Sequence, residues 1–144
     1  MPFIAEKLAT GSVIGWFQGR LEWGPRALGN RSIIGDARNV EMQKKLNLKI
    51  KYRESFRPFA PSVLDTDAHE YFEIDRSSPY MLFTHAVISR RRNAYPENYN
   101  GLSLKDKLYF VRSDMPAITH IDYSARTQTV HQDTNPRYWN LIKK

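Results

Sequence analysis

The chain contains no cysteine, which excludes structural disulfides, thiolate zinc sites and cysteine nucleophiles together and fits a reducing compartment. No apolar run approaches the roughly 18 residues that a bilayer crossing requires. The start, Met1-Pro2-Phe3-Ile4-Ala5-Glu6-Lys7-Leu8, lacks the basic beginning and long apolar core of a secretory signal. A cytoplasmic location is therefore expected, and Asn30-Arg31-Ser32, which matches a glycosylation sequon, means nothing without export. There is no G-x-x-x-x-G-K-(S/T) loop and no G-x-S-x-G elbow. His69, His85, His120 and His131 are scattered, and none shows the i, i+4 spacing of a helical metal site. His120-Ile121-Asp122 would place two ligands on one face of a strand; a hydrogen-bonded structural histidine is the plainer reading. Neither repeats nor low-complexity tracts occur.

What the chain does have is positive charge in one place. Its 144 residues carry 22 Lys and Arg against 15 Asp and Glu, a net +7. Between Arg20 and Arg57 there are ten basic and four acidic residues, so that +6 of the total falls in this stretch. A basic chain favours anionic partners, and the concentration of charge among Gly and Pro residues points to a polyanion of definite shape. The length suits one domain, residues 1–144.

Ile4, Ala5 and Leu8 opposite Glu6 and Lys7 predict an amphipathic helix from Phe3 to Thr10, stopped by Gly11-Ser12. Val13 to Phe17 predicts a strand buried on both faces. Pro25 to Leu28 is expected to form a short helix stopped at Gly29 or Asn30, followed by a strand from Ser32 to Gly35. Asp36 caps the next turn, and Asn39 is the N-cap of a helix from about Val40 to Ile50 with Met42 and Leu46 on its apolar stripe. Phe56 to Leu64 reads as an irregular strand, and Asp67 as the cap of a helical turn reaching Phe72. Tyr80 to Ser89 is the strongest strand pattern. Arg90 to Gly101 is expected to be a solvated loop, Leu108 to Arg112 and Ala117 to Ile121 short strands, and Asn135-Pro136 the start of a last helix. The sum is an α/β chain.

Two basic clusters carry the chemistry. Arg20, Glu22, Arg26 and Arg31 lie on a loop punctuated by Gly19, Gly24 and Gly29. Glycine lets backbone N–H groups approach an anion, and guanidinium groups hold phosphate oxygens bidentately. The alternative is a surface loop whose arginines pair with Glu22 or Asp36. Lys51, Arg53 and Arg57 share a face if their segment is extended, with Ser55 between them. Taken alone, that cluster is equally a helix C-terminus followed by a solvated turn. Arg126, in Ser124-Ala125-Arg126-Thr127-Gln128-Thr129-Val130, is only suggestive by its chemistry.

Three segments, Gly19 to Ser32, Asn47 to Pro61 and His120 to Val130, together resemble the C-terminal domain of the NodU and CmcH type of carbamoyltransferases. The resemblance implies a YrdC/Sua5-like fold, a twisted mixed sheet with flanking helices around a cationic cavity. It also implies that such a domain makes carbamoyl-adenylate from carbamoyl phosphate and ATP with Mg2+. A Kae1-like N-terminal domain, which holds a metal, then passes the carbamoyl group to an acceptor hydroxyl. The family's phosphate contacts match Arg26, Lys51, Arg57 and Arg126. The other members of the two clusters, Arg20, Glu22, Arg31 and Arg53, are expected to support them, and no catalytic side chain or metal ligand is expected in this chain.

The metal-binding domain is absent from the sequence. So is the Asn-Thr-Ser-Phe-Asn segment that follows the last helix in the family. A fragment lacking its last C-terminal elements is expected, unable to complete carbamoyl transfer alone. The rival readings are a basic module associated with RNA or tRNA, as YrdC relatives are, and a structural domain that docks on a catalytic partner. Membrane and nucleic-acid partners are not expected on the first reading.

Overall fold

Pro2 opens helix α1 (Pro2–Ala9) at a position where a missing N–H costs nothing, and Gly11 leaves it at φ +84°. The computed structural model describes residues 1–144. The helix lays Ile4, Ala5 and Leu8 on an apolar cluster formed by Trp16, Leu64, Val130, Tyr138, Trp139 and Leu141. Most of that cluster comes from the other end of the chain. Helix α4 (Pro136–Ile142), which follows Asn135 as expected, buries Tyr138, Trp139 and Leu141.

Strand β1 (Ile14–Phe17) pairs antiparallel with β2 (Arg31–Ile34), Trp16 opposite Ser32. The expectation of a strand buried on both faces fails: only Trp16 is buried, and Phe17 is 77% exposed under the Arg31 guanidinium, 3.5 Å from its ring centre. No layer covers that face, so the arginine does. Asp36 behaves as expected, its Oδ1 accepting from Arg38 N–H. Asn39 Oδ1 accepts from Glu41 N–H, but the helix starts only at Met42 with Glu41 as its N-cap, so Asn39 closes a turn before the helix instead of capping it. Helix α2 (Met42–Leu46) buries both of its end residues and runs on as a π-helical turn, Asn47–Lys51. Tyr52, at φ +49°, ends it in the left-handed region.

Met42 and Leu46 enter a second cluster with Val63, Phe72, Val87 and Ile118. It packs around two further ladders: β3 (Ser62–Leu64) parallel to β6 (Gln128–Val130), and β4 (Thr84–Ala86) antiparallel to β5 (Ser124–Arg126). Thr127 alone separates β5 from β6, so one extended run serves both ladders. The architecture is mixed α/β, but the six strands form three two-stranded pairs rather than one continuous sheet.

Several local expectations are corrected. Residues 25–28 form no helix. Strand β4 covers three residues of the long run predicted from Tyr80, because Met81 turns the chain at φ +53°. The turn assigned to Asp67 begins earlier, as a 3-10 helix over Asp65–Glu70. In place of a strand at Leu108 lies helix α3 (Leu104–Tyr109), whose N-cap Ser103 Oγ accepts from Asp106 N–H at 3.1 Å. Residues 117–121 turn rather than extend, with Ile118 N–H bonded to Met115 O. Arg90 to Gly101 lies at the surface as expected, but Arg90, Arg91 and Arg92 are paired there, with Glu70, Asp114 and Glu73. No helix is long and apolar enough to cross a membrane.

Candidate anion-binding site

The loop between β1 and β2 is shaped by backbone hydrogen bonds that its own side chains supply. Glu22 accepts from the N–H groups of Leu28 (2.8 Å) and Asn30 (2.9 Å). Arg31 donates to the carbonyls of Gln18, Gly19 and Asn30. Both side chains are thereby spent on the loop rather than held out toward solvent. From outside, Trp16 Nε1 and Gln18 Nε2 each donate to Gly29 O at 2.8 Å, and Gln128 Nε2 donates to Leu28 O at 2.7 Å. Gln128 is set in turn by Ser62 Oγ, 2.9 Å from its Oε1, and Ser62 receives the Tyr138 hydroxyl at 2.9 Å. Burial pushes the Tyr138 phenol pKa up, which keeps that hydroxyl a donor. Arg26 is thus carried on a loop anchored to β1, β6 and α4.

The second arm hangs on one amide. Asn47 is fully buried; its Nδ2 donates to Ser55 O (3.1 Å) and Arg57 O (2.8 Å), and its Oδ1 accepts from Arg53 Nε (2.6 Å). Lys51 closes the π-helical turn, and the left-handed Tyr52 intervenes before Arg53. The segment is therefore not extended, and the shared face inferred from odd-numbered spacing does not form. Arg57 lies outside the cavity lining and pairs with Glu54 at 3.0 Å, half exposed.

Arg126 ends β5 opposite Thr84. A cavity of about 950 Å³ opens among these elements, lined by Arg26, Lys51, Arg53 and Arg126 but not by Arg20, Glu22, Arg31 or Arg57. Arg38 also lines it, neutralised by Asp36 at 2.7 Å, and that bond holds the Asp36 carboxyl below its usual range. Arg26, Lys51 and Arg126 have no carboxylate within ion-pair distance, and the Arg26 Nε is buried without a partner. The Arg126 guanidinium pKa is lowered, first by burial and then by repulsion from Arg26. Two like charges forced together without a counter-ion make a site whose electrostatics improve when an anion enters.

The histidines do other work. His120 Nδ1 lies 3.3 Å from Asp122 Oδ1 in a turn, where Asp122 also accepts from Ser124 N–H and Oγ. His85 is buried against the Thr127 hydroxyl. The structure places no group of three or more His, Asp or Glu side chains where they could hold a metal ion. Sequence reasoning passed over Gln18, Asn47 and Gln128, uncharged amides that do most of the positioning. None of the three carries a signal in the sequence, because an uncharged amide acquires a positioning role only through the burial that the fold imposes on it.

The framework is mixed α/β, and its cavity gathers Arg26, Lys51 and Arg126, which no carboxylate neutralises. Residues 5–144 match the family model described as Carbamoyltransferase C-terminus, and the chain belongs to that family. It is 57% identical over 141 residues to the uncharacterized protein sll1178 of Synechocystis sp., covering 98% of this chain and 23% of that protein. Over 141 residues it is 45% identical to nodulation protein NolO of Bradyrhizobium diazoefficiens, covering 96% of this chain and 22% of NolO. It is 35% identical over 139 residues to the 3'-hydroxymethylcephem-O-carbamoyltransferase of Streptomyces clavuligerus, with coverage of 96% and 22%. The chain thus spans less than a quarter of the length of these relatives.

Proposed function

We propose that this chain is the adenylating domain of an O-carbamoyltransferase, binding carbamoyl phosphate and ATP in the cavity between the Arg26 loop and β5. The observation that carries the reading is that Arg26, Lys51 and Arg126, from three separate elements, line one cavity with no carboxylate at ion-pair distance. Carbamoyl phosphate gives up its phosphate to water as carbamate; a carbamate oxygen attacks the α-phosphorus of ATP, and pyrophosphate leaves. Magnesium enters as part of the nucleotide substrate, bridging its phosphates. Arg26 and Arg126 neutralise the charge that builds on the α-phosphoryl oxygens, and Lys51, with Arg53 behind it, holds the anion in line. No side-chain nucleophile takes part. A Kae1-like N-terminal domain then passes the carbamoyl group from the adenylate to the hydroxyl of an acceptor substrate, and AMP leaves. The similarity to a named cephem carbamoyltransferase supports the transferase class.

The RNA-binding alternative is not favoured. The match to a carbamoyltransferase family model and the similarity to a named cephem carbamoyltransferase both support the transferase reading over it.

Calorimetry with ATP and with carbamoyl phosphate tests the proposal. Saturable binding by the wild type, weakened in Lys51→Ala and Arg126→Ala, is expected. Absence of binding by the wild type, or binding by both variants as tight as the wild type's, would overturn it.

A further inference from the structure

A second cavity, of about 840 Å³, lies on the other side of the 51–58 loop, between helix α2 with its π-helical extension and the 105–121 segment. Pro58 lines both cavities. One stretch of chain therefore shows Lys51 and Arg53 to the first cavity and Ser55 and Phe56 to the second.

The second wall has a different chemistry. Val40, Leu48, Phe56, Tyr109, Val111 and Ile121 all line it, and each is between 40% and 59% exposed. That is a concentration of accessible apolar surface of the kind that marks a ligand or partner site. Set into it is Arg112, 5% exposed and the only buried side chain with a permanent charge. Its terminal nitrogens donate to the carbonyls of Lys107, Leu108 and Phe110 around the end of α3, and its Nε is buried without a partner. No carboxylate pairs with it. Lys44 and Lys105 line the same cavity, against Glu41 as the one acid. A buried guanidinium without a counter-charge is costly, and carbonyl dipoles compensate it only in part.

We infer that this cavity is a second ligand site, taking a small molecule with a planar apolar body and one negative charge. Its volume is in the range of small-molecule pockets, roughly 300–1,000 Å³. The apolar wall receives the body of the ligand, and the charge sits toward Arg112 with Lys44 and Lys105 at the mouth. The Ser55 hydroxyl and Tyr109 OH, 2.6 Å apart, offer a polar edge for orientation. The site is independent of the proposed adenylation and shares only the 51–58 loop with it.

Naphthoate, with uncharged naphthamide as its control, probes the site in calorimetry and amide NMR on the full chain. Saturable one-to-one binding of naphthoate is expected, roughly tenfold tighter than naphthamide, the scale of one charge-assisted contact. Signals of residues 105–121 should shift. Ile121→Glu, at an exposed position that tolerates charge, should abolish binding while circular dichroism stays unchanged; Lys51→Ala, in the other cavity, should leave it intact. Arg112→Gln, which removes a cap from α3, is read only if the variant folds, and Ile121→Glu keeps the test decisive if it does not. No saturable binding, equal affinity for naphthamide, or loss in Lys51→Ala with retention in Ile121→Glu would overturn the inference.

Discussion

Gly29 lies flat against the ring of Tyr138, so close that a Cβ at position 29 would stand 2.4 Å from Tyr138 Cδ1. The glycine also holds φ +103°, a conformation that side chains resist. Through this contact the final helix holds the loop that carries Arg26. Gly29→Ala combines a backbone penalty with overpacking and should cost about 2–4 kcal/mol in denaturant unfolding. Tyr138→Phe, which loses only the hydroxyl bond to Ser62, should cost about 1 kcal/mol. Equal effects of the two would mean that the close approach is not what matters.

The cation set predicts a graded response to anions. Pyrophosphate at about 100 times its Kd should stabilise the wild type by about 2.7 kcal/mol. Arg126→Ala should weaken that binding by roughly tenfold or more. Arg57→Ala should do less, because Arg57 must first leave Glu54 to reach the ligand. Titration of each variant by thermal shift checks the order.

Asn47 is the anchor of the second arm. Asn47→Ala removes three hydrogen bonds from a fully buried position and should destabilise the chain by about 3 kcal/mol. It should also weaken anion binding, since Lys51 and Arg53 lie on the segment it organises. Chemical denaturation and pyrophosphate affinity, measured on the same variant, test both halves.

His85 predicts a pH dependence. Burial holds its pKa below the ordinary 6.5; Asp75 pulls the other way and Arg76 adds to the lowering. The unfolded chain therefore takes up a proton near pH 6.5 that the folded chain refuses. Stability should be full above that pH, fall below it, and level off once the folded ring also protonates. His85→Gln should flatten the decline. Asp36 and Asp122, both lowered by hydrogen bonds, act in a separate window, their contributions lost only as pH falls below 3.8.

Elements whose signal is local were legible in the sequence. Helix α1, the turn capped by Asp36, and the Asn135-Pro136 start of α4 follow from proline, side-chain capping and apolar spacing within a few residues. Where a distant contact competed, local reasoning failed. The proline at position 25 suggested a helix, but Glu22, Gln128 and Tyr138 hold that stretch as an open loop. The apolar run from Tyr80 suggested a long strand, but Met81 turns the backbone, only three residues pair with β5, and Val87 bridges instead to Phe72.

The sequence alone determined the charge: an excess of +6 between Arg20 and Arg57, with no cysteine and no long apolar run. Composition cannot say which cations remain unpaired, because pairing depends on which acids the fold brings near. Tertiary structure decided that. It spent Arg31 on carbonyls, gave Arg57 to Glu54, and left Arg26, Lys51 and Arg126 facing one hollow from three separate elements.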